Sequence, residues 1–336
     1  MKLIITEKPS VAKSIASALG ASSRADGFYE GSGLLVSWCV GHLVSPMDAG
    51  GYDENFKKWR YDDLPILPEP FRYVLASGKE DAFENLRALM NRSDVDTIVN
   101  ACDAGREGEL IFRLVYEMTG CRKSVLRLWI SSMEDSAIRE GFSDLRPGAD
   151  YEALYQSALC RQKADWLVGI NATRLFSVLY HRTLNVGRVQ TPTLAMLAER
   201  DAKITLFHKE KYHLLRLTLD GAEAVSEKFT DPAKAEQAAA MCKGAAVTCT
   251  SVTKEQKKEQ PPKLYDLTTL QREANRLFGY TAKQTLDYAQ SLYEKKLLTY
   301  PRTDSRYLTS DMAETASCVI HLAAKLPPFD GCTNFF

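Results

Sequence analysis

The stretch that decides the fold is Val99-Asn100-Ala101-Cys102-Asp103-Ala104-Gly105-Arg106-Glu107-Gly108-Glu109. It closes an apolar β-type run, Val95 to Ala101, and passes at once into Leu110 to Tyr116, which has helical spacing. Between them lies a turn with two glycines and three carboxylates. Carboxylates released at the C-terminal end of a strand, just before a helix, stand where α/β sheets place their ligand sites. Asp103 and Glu107 are close enough in sequence to share one divalent cation. The turn is therefore expected to hold Mg²⁺ for chemistry on a phosphodiester.

Working outward, the same geometry recurs at the start of the chain. Leu3-Ile4-Ile5 reads as a short buried strand, Glu7-Lys8-Pro9-Ser10 as a turn, and Val11 to Leu19 as a helix ended by Gly20. Ser10 as N-cap or Pro9 as a first-turn residue would start that helix. Glu7 thus leaves a strand end before a helix, as Asp103 does. Two such turns side by side in one sheet would converge three carboxylates. Leu34 to Val40 is another strand, ended by Gly41-His42, and His42 is either a phosphate contact or a structural histidine. Residues 46 to 72, rich in Pro, Gly and charge, read as a long irregular connection. Asp81 to Met90 is helical, Val125 to Ile130 a strand, and Ser132 to Gly141 a helix with Glu134 near its start. This alternation through about residue 145 predicts a parallel-sheet α/β domain, broken by Arg146-Pro147-Gly148.

Bulk properties set the outer bounds. The 336 residues suffice for two or more domains, and 45% hydrophobic with 26% charged residues is ordinary for a globular protein. Lys plus Arg and Asp plus Glu both total 43, so any nucleic-acid footprint must come from local basic patches. The eight Cys (39, 102, 121, 160, 242, 249, 318, 332) contain no CxxC pair, which argues against a zinc ribbon or a disulfide framework and predicts reduced, buried, inert thiols. The first residues lack the apolar core of a signal peptide, and no run approaches a membrane span. A cytoplasmic protein is expected.

Beyond Tyr151 the pattern turns helical, with Arg161, Lys163, Asp165, Asn171, Arg174, Arg182 and Arg188 interleaved among apolar positions. Val186 to Thr193 is a Gly/Thr-rich turn opening a helix to about Asp201, where backbone N–H groups and Arg188 would seat a phosphate. From Tyr212 the period changes to two. His213 to Leu219 and Ala245 to Val252 read as strands around an Ala-rich helix, Pro232 to Lys243. Lys254 to Lys263 is a polar linker. Leu267 to Leu277 and Thr281 to Leu292 are amphipathic helices joined at Gly279, with Thr281-Ala282-Lys283-Gln284 as a helix start. Lys296 to Tyr307 follows, in which Tyr300, directly before Pro301-Arg302-Thr303-Asp304-Ser305, is held in a non-helical turn. The end, Pro327 to Phe336, has no closing signal and reads like an interrupted protein.

Taken together, these segments resemble type IA DNA topoisomerases, within them the bacterial topoisomerase III branch, over essentially the whole chain and in the family's order. Ile5-Thr6-Glu7-Lys8-Pro9-Ser10-Val11-Ala12 resembles the first motif of the Toprim domain, and Asp103 to Glu109 its acidic motif. Asp165 to Arg174 and Gly187-Arg188-Val189-Gln190-Thr191-Pro192-Thr193 are similar to DNA-channel signatures, and Leu298 to Ser305 to the active-site tyrosine motif. The resemblance implies a Rossmann-like Toprim sheet over 1–148, a helical DNA-binding segment over 149–209, part of a β-rich arch over 210–262, and an incomplete tyrosine-bearing helical domain over 263–336. Two departures stand out. The family's acidic motif reads Asp-x-Asp-x-Glu, whereas its middle acid is here Gly105; this favours one Mg²⁺ on Asp103 and Glu107, with Glu7 as a further ligand. The remainder of the tyrosine domain, with its histidine-containing motif, is not found.

The resemblance further implies that Tyr300 attacks a backbone phosphorus, forming a 5′-phosphotyrosyl link and a free 3′-hydroxyl, that another strand passes, and that the hydroxyl reverses the attack without ATP. A free Tyr, with pKa about 10, is only about one part in a thousand phenolate near neutrality, so cations such as Arg302 are expected to favour its anion. Lys8 and Arg302 would offset charge on phosphorus, and Glu7 would act as general acid and then base. Arg106 would seat a phosphate or pair with an acid. Arg161, Asp165, Arg174, Arg188, Gln190 and Thr193 would line a single-strand groove, with His42 as a further contact. Tyr300 and Asp103 must meet at an interface that opens, with the linker 254–263 and the β block before it as its hinge. Expected partners are single-stranded and negatively supercoiled DNA, with a helicase or single-strand-binding protein, in a nucleoid-associated setting. Two alternatives stay open: another Toprim phosphotransferase or nuclease, and a non-catalytic fragment that binds single strands.

Overall fold

The computed structural model describes residues 1–130, 133–295, 297–308 and 310–329. Three sequence expectations touch residues outside these: the helix start at Ser132, Lys296 before the tyrosine motif, and the chain end at 330–336. The chain divides into two compact units, one of residues 1–188 with 262–336 and one of residues 189–261.

In the first unit the chain runs β1 (Lys2–Thr6), α1 (Pro9–Leu19), β2 (Ser23–Ala25), β3 (Phe28–Gly31), β4 (Leu34–Trp38), β5 (Val44–Pro46), β6 (Tyr73–Leu75), α2 (Glu80–Met90), β7 (Thr97–Asn100), α3 (Arg106–Met118), β8 (Ser124–Arg127), α4 (Asp135–Ser143) and β9 (Arg146–Pro147). Seven of these strands form one sheet in the order β2-β3-β4-β1-β7-β8-β9. The central pairs β4/β1, β1/β7 and β7/β8 are parallel, as the βαβ alternation predicts, and the edges are antiparallel. The chain leaves β1 for β4 on one side and then returns to β7 on the other. The carboxyl ends of β1 and β7 therefore border the point where the strand order reverses, the crevice that open α/β sheets use for ligands.

Alternation along the strands sorts the core into two layers. Leu3 and Ile5 pack with Ile98 and residues of α2 and α3, including Phe83, Leu86, Phe112 and Val115. Ile4, Val36 and Val99 face the other way, against Val11, Ile15 and Ile138 of α1 and α4. The α1 helix starts with Pro9 in its first turn and Lys8 at the N-cap, which decides between the two expected starts; its C-cap is Gly20, at φ 80°. Pro has no N–H to lose there and has a φ suited to the helix.

Several expectations change. Arg146-Pro147 does not break the sheet but adds an antiparallel edge strand to β8, a position where a missing N–H costs no ladder bond. A 3₁₀ turn (Gly148–Tyr151) then opens α5 (Glu152–Leu179), whose Tyr155 and Ala158 share the core with α3. The stretch 46–72 is largely irregular as expected, with three 3₁₀ turns, but it starts on β5, which pairs with β6. The hairpin β2–β3 was not foreseen. Of the cysteines, 39, 102 and 121 are buried, whereas 160, 242, 249 and 318 are exposed free thiols, because the last four lie where no core covers them.

Near the end of the chain, α8 (Leu267–Phe278) closes on Gly279 at φ 70°, and α9 (Ala282–Glu294) opens with a full capping box between Thr281 and Gln284. Tyr300 lies in the non-helical stretch that follows, before α10 (Ala313–Ala323). Leu267 N donates to Thr303 O, and Arg306 Nε to Leu264 O, tying the tyrosine stretch to the start of α8.

The second unit holds α6 (Gln190–Thr205), β10 (Arg216–Leu219), β11 (Ala222–Val225) and α7 (Pro232–Cys242). The expected strand over 245–252 is absent among the described residues. The partner of β10 is instead β11, joined through Asp220-Gly221, with Gly221 at φ 76°. Asp-Gly is a strong two-residue hairpin turn, so the local connection wins over a distant one. No helix of the described residues is long and apolar enough to cross a membrane.

Candidate active site

Glu7 is the first residue after β1, and Asp103 stands three residues after β7. Ile5 O accepts from Ala101 N at 2.8 Å, which locks the two strand ends together. Lys8, at the head of α1, bridges the acids: its Nζ lies 3.6 Å from Glu7 Oε1 and 4.0 Å from Asp103 Oδ2. Tyr300 completes the group. Its Oη donates to Asp103 Oδ2 at 2.9 Å, and Lys8 Nζ stands 5.6 Å from the centre of its ring. The ring of Tyr293 meets it edge-on at 5.3 Å.

Burial and the neighbouring Asp103 carboxylate push the pKa of Glu7 up, against the pull of Lys8. That favours a protonated Glu7. Burial also raises Tyr300, followed by the charge of Asp103 and the hydrogen bond to it; Arg302 pulls the other way but is outweighed. The expectation that cations favour the tyrosine anion is therefore corrected: the phenol sits against carboxylates, and Arg302 is exposed. Tyr300 is held as a neutral donor.

A second cluster lies around Glu107. His42 Nε2 and Arg161 Nη1 each approach its carboxylate at 3.7 Å. Arg161 Nε reaches Asp165 Oδ2 at 4.0 Å, and Arg188 Nε donates to Asp165 Oδ1 at 2.8 Å. With Ser45 and Gln162, the first four of these line a cavity of about 320 Å³. Arg106 is exposed at the first position of α3. Arg174 is buried, donating to Phe56 O at 2.7 Å; its place is in the scaffold rather than on an open groove. Gln190 and Thr193 open α6 in the second unit, with Thr193 Oγ1 donating to Val189 O.

Glu7 and Asp103 offer the oxygen donors that a hard divalent cation takes, and their mutual repulsion is what such an ion would relieve. Glu107 is turned toward His42 and Arg161, and Gly105 offers no donor. Among the described residues no three His, Cys, Asp or Glu are gathered as a metal cluster. The residues fit a cation held by two carboxylates.

The third acid of the turn, Glu109, faces inward and is 1% exposed, paired with buried Arg127 and with Arg113. Sequence reasoning passed over Arg127, because a charge inside a strand carries no signal of what it will touch.

A family model described as a Toprim domain matches residues 2–133, and one described as DNA topoisomerase matches residues 149–329. The chain belongs to the type IA DNA topoisomerase family. Among its relatives, a DNA topoisomerase 3 of Shouchella clausii is 43% identical over 98% of this chain and 46% of its own length. That of Bacillus subtilis is 44% identical over 93% of this chain and 44% of its own. The topoisomerase chain thus spans about half the length of the curated relatives it matches. The full-length topoisomerase I of Thermotoga maritima superposes with a TM-score of 0.64 at 26% identity, over 95% of this chain and 52% of that one. Toprim domains generally bind divalent metal, which accords with the donor set of Glu7 and Asp103.

Proposed function

We propose that the chain carries the DNA-cleaving centre of a type IA topoisomerase of the topoisomerase 3 kind. The observation that carries this reading is the 2.9 Å bond from Tyr300 Oη to Asp103 Oδ2 beside Glu7 and Lys8. Tyr300 Oη attacks a backbone phosphorus of one strand, and Asp103 Oδ2 is the atom placed to take its proton. The bond from phosphorus to the 3′-oxygen breaks, leaving a 5′-phosphotyrosyl link. Glu7, whose hold on a proton is strengthened by burial and by Asp103, gives its proton to the departing 3′-oxygen and takes it back in religation. Lys8 Nζ offsets charge on the pentavalent phosphorus, with Arg302 in support. A strand passes while the link stands, and no ATP is needed because the phosphodiester energy is kept in the tyrosyl ester.

Glu7 and Asp103 would hold Mg²⁺, and Glu107 would join them on leaving His42 and Arg161. Bound there, the ion would supply positive charge beside the phosphate. Arg161, Asp165 and Arg188 line the path of a single strand, with His42, Arg106, Gln190 and Thr193 as further contacts. The division at 148, 209 and 262, the hinge at 254–263, negatively supercoiled DNA as substrate, a helicase or single-strand-binding partner and a nucleoid-associated cytoplasmic setting belong to the same reading.

The test is covalent trapping. A 3′-end-labelled single strand is incubated with the chain and Mg²⁺, then denatured in detergent. Labelled protein is expected from the parent and none from Tyr300→Phe. Cleavage that survives Tyr300→Phe would point to a nuclease, and binding without any adduct to a non-catalytic DNA-binding fragment.

A further inference from the structure

A buried arginine is bonded to the backbone of the turn that carries Asp103. Arg127, the last residue of β8, is fully buried. Its guanidinium donates to four carbonyl oxygens: Nη1 to Asn100 at 3.1 Å, Cys102 at 2.7 Å and Leu128 at 2.9 Å, and Nη2 to Asp103 at 2.8 Å. Three of the four belong to the stretch that carries Asp103 out of β7. Arg127 Nε lies 3.1 Å from Glu109 Oε2, and the same oxygen accepts from Asn100 Nδ2 at 2.9 Å. Asn100 Oδ1 in turn accepts from Cys102 N. The rings of Trp129 and Tyr151, at 5.0 and 5.9 Å, cover the guanidinium. Gly108 also lies close against this turn: a Cβ there would stand 2.2 Å from Asp103 O.

A buried ion pair adds little net stability over well-packed apolar residues. A buried guanidinium must satisfy its donors somewhere, and here three of its four carbonyl partners lie on the turn that carries Asp103. We propose that Arg127 is a positioning residue: its planar fork sets the backbone of Asn100 to Asp103, and so the place where the Asp103 carboxylate meets Tyr300 Oη. Lys cannot reproduce this, since an ammonium has three donors and no fork. The value of this placement to catalysis rests on the proposed function, whereas the placement itself does not.

The test uses the full chain with Arg127→Lys and Glu109→Gln, read by hydrogen exchange and by covalent trapping. In Arg127→Lys, exchange across residues 100–105 should accelerate at least about tenfold while α1 stays within about twofold. Adduct yield should fall at least about tenfold, with single-strand affinity within about twofold. Glu109→Gln should move both readouts the same way. Exchange or adduct yield at the parental level in Arg127→Lys overturns the proposal, as does faster exchange in all peptides alike. If Arg127→Lys does not fold, Glu109→Gln decides: faster exchange confined to 100–105 supports the proposal, and parental exchange overturns it. A parent that forms no adduct ends the functional reading, and exchange alone then decides the role of Arg127.

Discussion

Tyr300 Oη donates a hydrogen bond to Asp103 Oδ2 at 2.9 Å across 197 residues of sequence. A tyrosine in a loop after α9 thus shares its proton with a carboxylate at the end of a central strand. Burial, the Asp103 charge and this bond together favour the neutral phenol, and the bond aims its oxygen at the end of the sheet where Lys8 and Glu7 stand.

Lys8 Nζ lies within 4.0 Å of both acids and 5.6 Å from the centre of the Tyr300 ring. Lys8→Met should lower adduct formation by about 10²- to 10³-fold, the usual loss when one preorganised charge-stabilising donor is removed. Single-strand affinity, measured by fluorescence anisotropy, should change little. A parallel loss of affinity would place Lys8 in binding instead.

The pKa of Glu7 is raised, first by burial and then by Asp103. A carboxyl raised in the folded state gives stability that is fully present below its unfolded pKa and is lost as pH rises through the folded value. At neutral pH its charge therefore weighs against the fold. Glu7→Gln should raise Tm at pH 7 by roughly 1–2 °C for each kcal/mol of relief, the shift expected for a chain of 336 residues. The gain should vanish at pH 4, as calorimetry over pH would record. Cleavage by the parent should decline as pH rises through the Glu7 pKa.

Gly105 is extended, at φ −179°, and a Cβ there meets nothing within 4 Å. Gly105→Asp is thus sterically free and restores the middle acid of the family pattern. Its Tm should stay within about 2 °C of the parent, as for most surface substitutions. Mg²⁺ binding by titration calorimetry should tighten. Gly108→Ala is the contrasting case: with its Cβ 2.2 Å from Asp103 O, it should cost about 1–3 kcal/mol or more in chemical denaturation.

Arg188 is exposed and bound to Asp165 at 2.8 Å. If it turns to a DNA phosphate, Arg188→Ala should reduce the slope of log affinity against log salt by about 0.7 for single strands. Arg174→Ala should leave that slope unchanged, because Arg174 is spent on Phe56 O inside the scaffold, and should lower stability instead. Equal slopes for parent and Arg188→Ala would remove Arg188 from the groove.

Much of the fold was legible in the sequence, because strand-turn-helix units announce themselves over a few residues. The runs Leu3–Ile5 and Val95–Ala101, each released into an acid and a helix, predicted a parallel sheet and the two acids at its carboxyl edge. The helix start at Thr281 and the Gly20 and Gly279 helix ends were equally local. What failed was also local: Asp220-Gly221 marked a hairpin that the apolar run at 245–252 obscured.

The sequence by itself determined the α/β sheet, the positions of Glu7, Asp103 and Tyr300, and the resemblance to a topoisomerase family. Only the tertiary structure decided which acids serve one centre. Periodicity and turn chemistry act between near neighbours, so they place three carboxylates on one turn without telling them apart. Folding points Asp103 at Tyr300, Glu107 at His42 and Arg161, and Glu109 inward to Arg127. It also reverses the electrostatics of the tyrosine. By sequence its nearest cation is Arg302, but burial and Asp103 outweigh that charge, because distance and dielectric, not sequence separation, set the field a phenol feels.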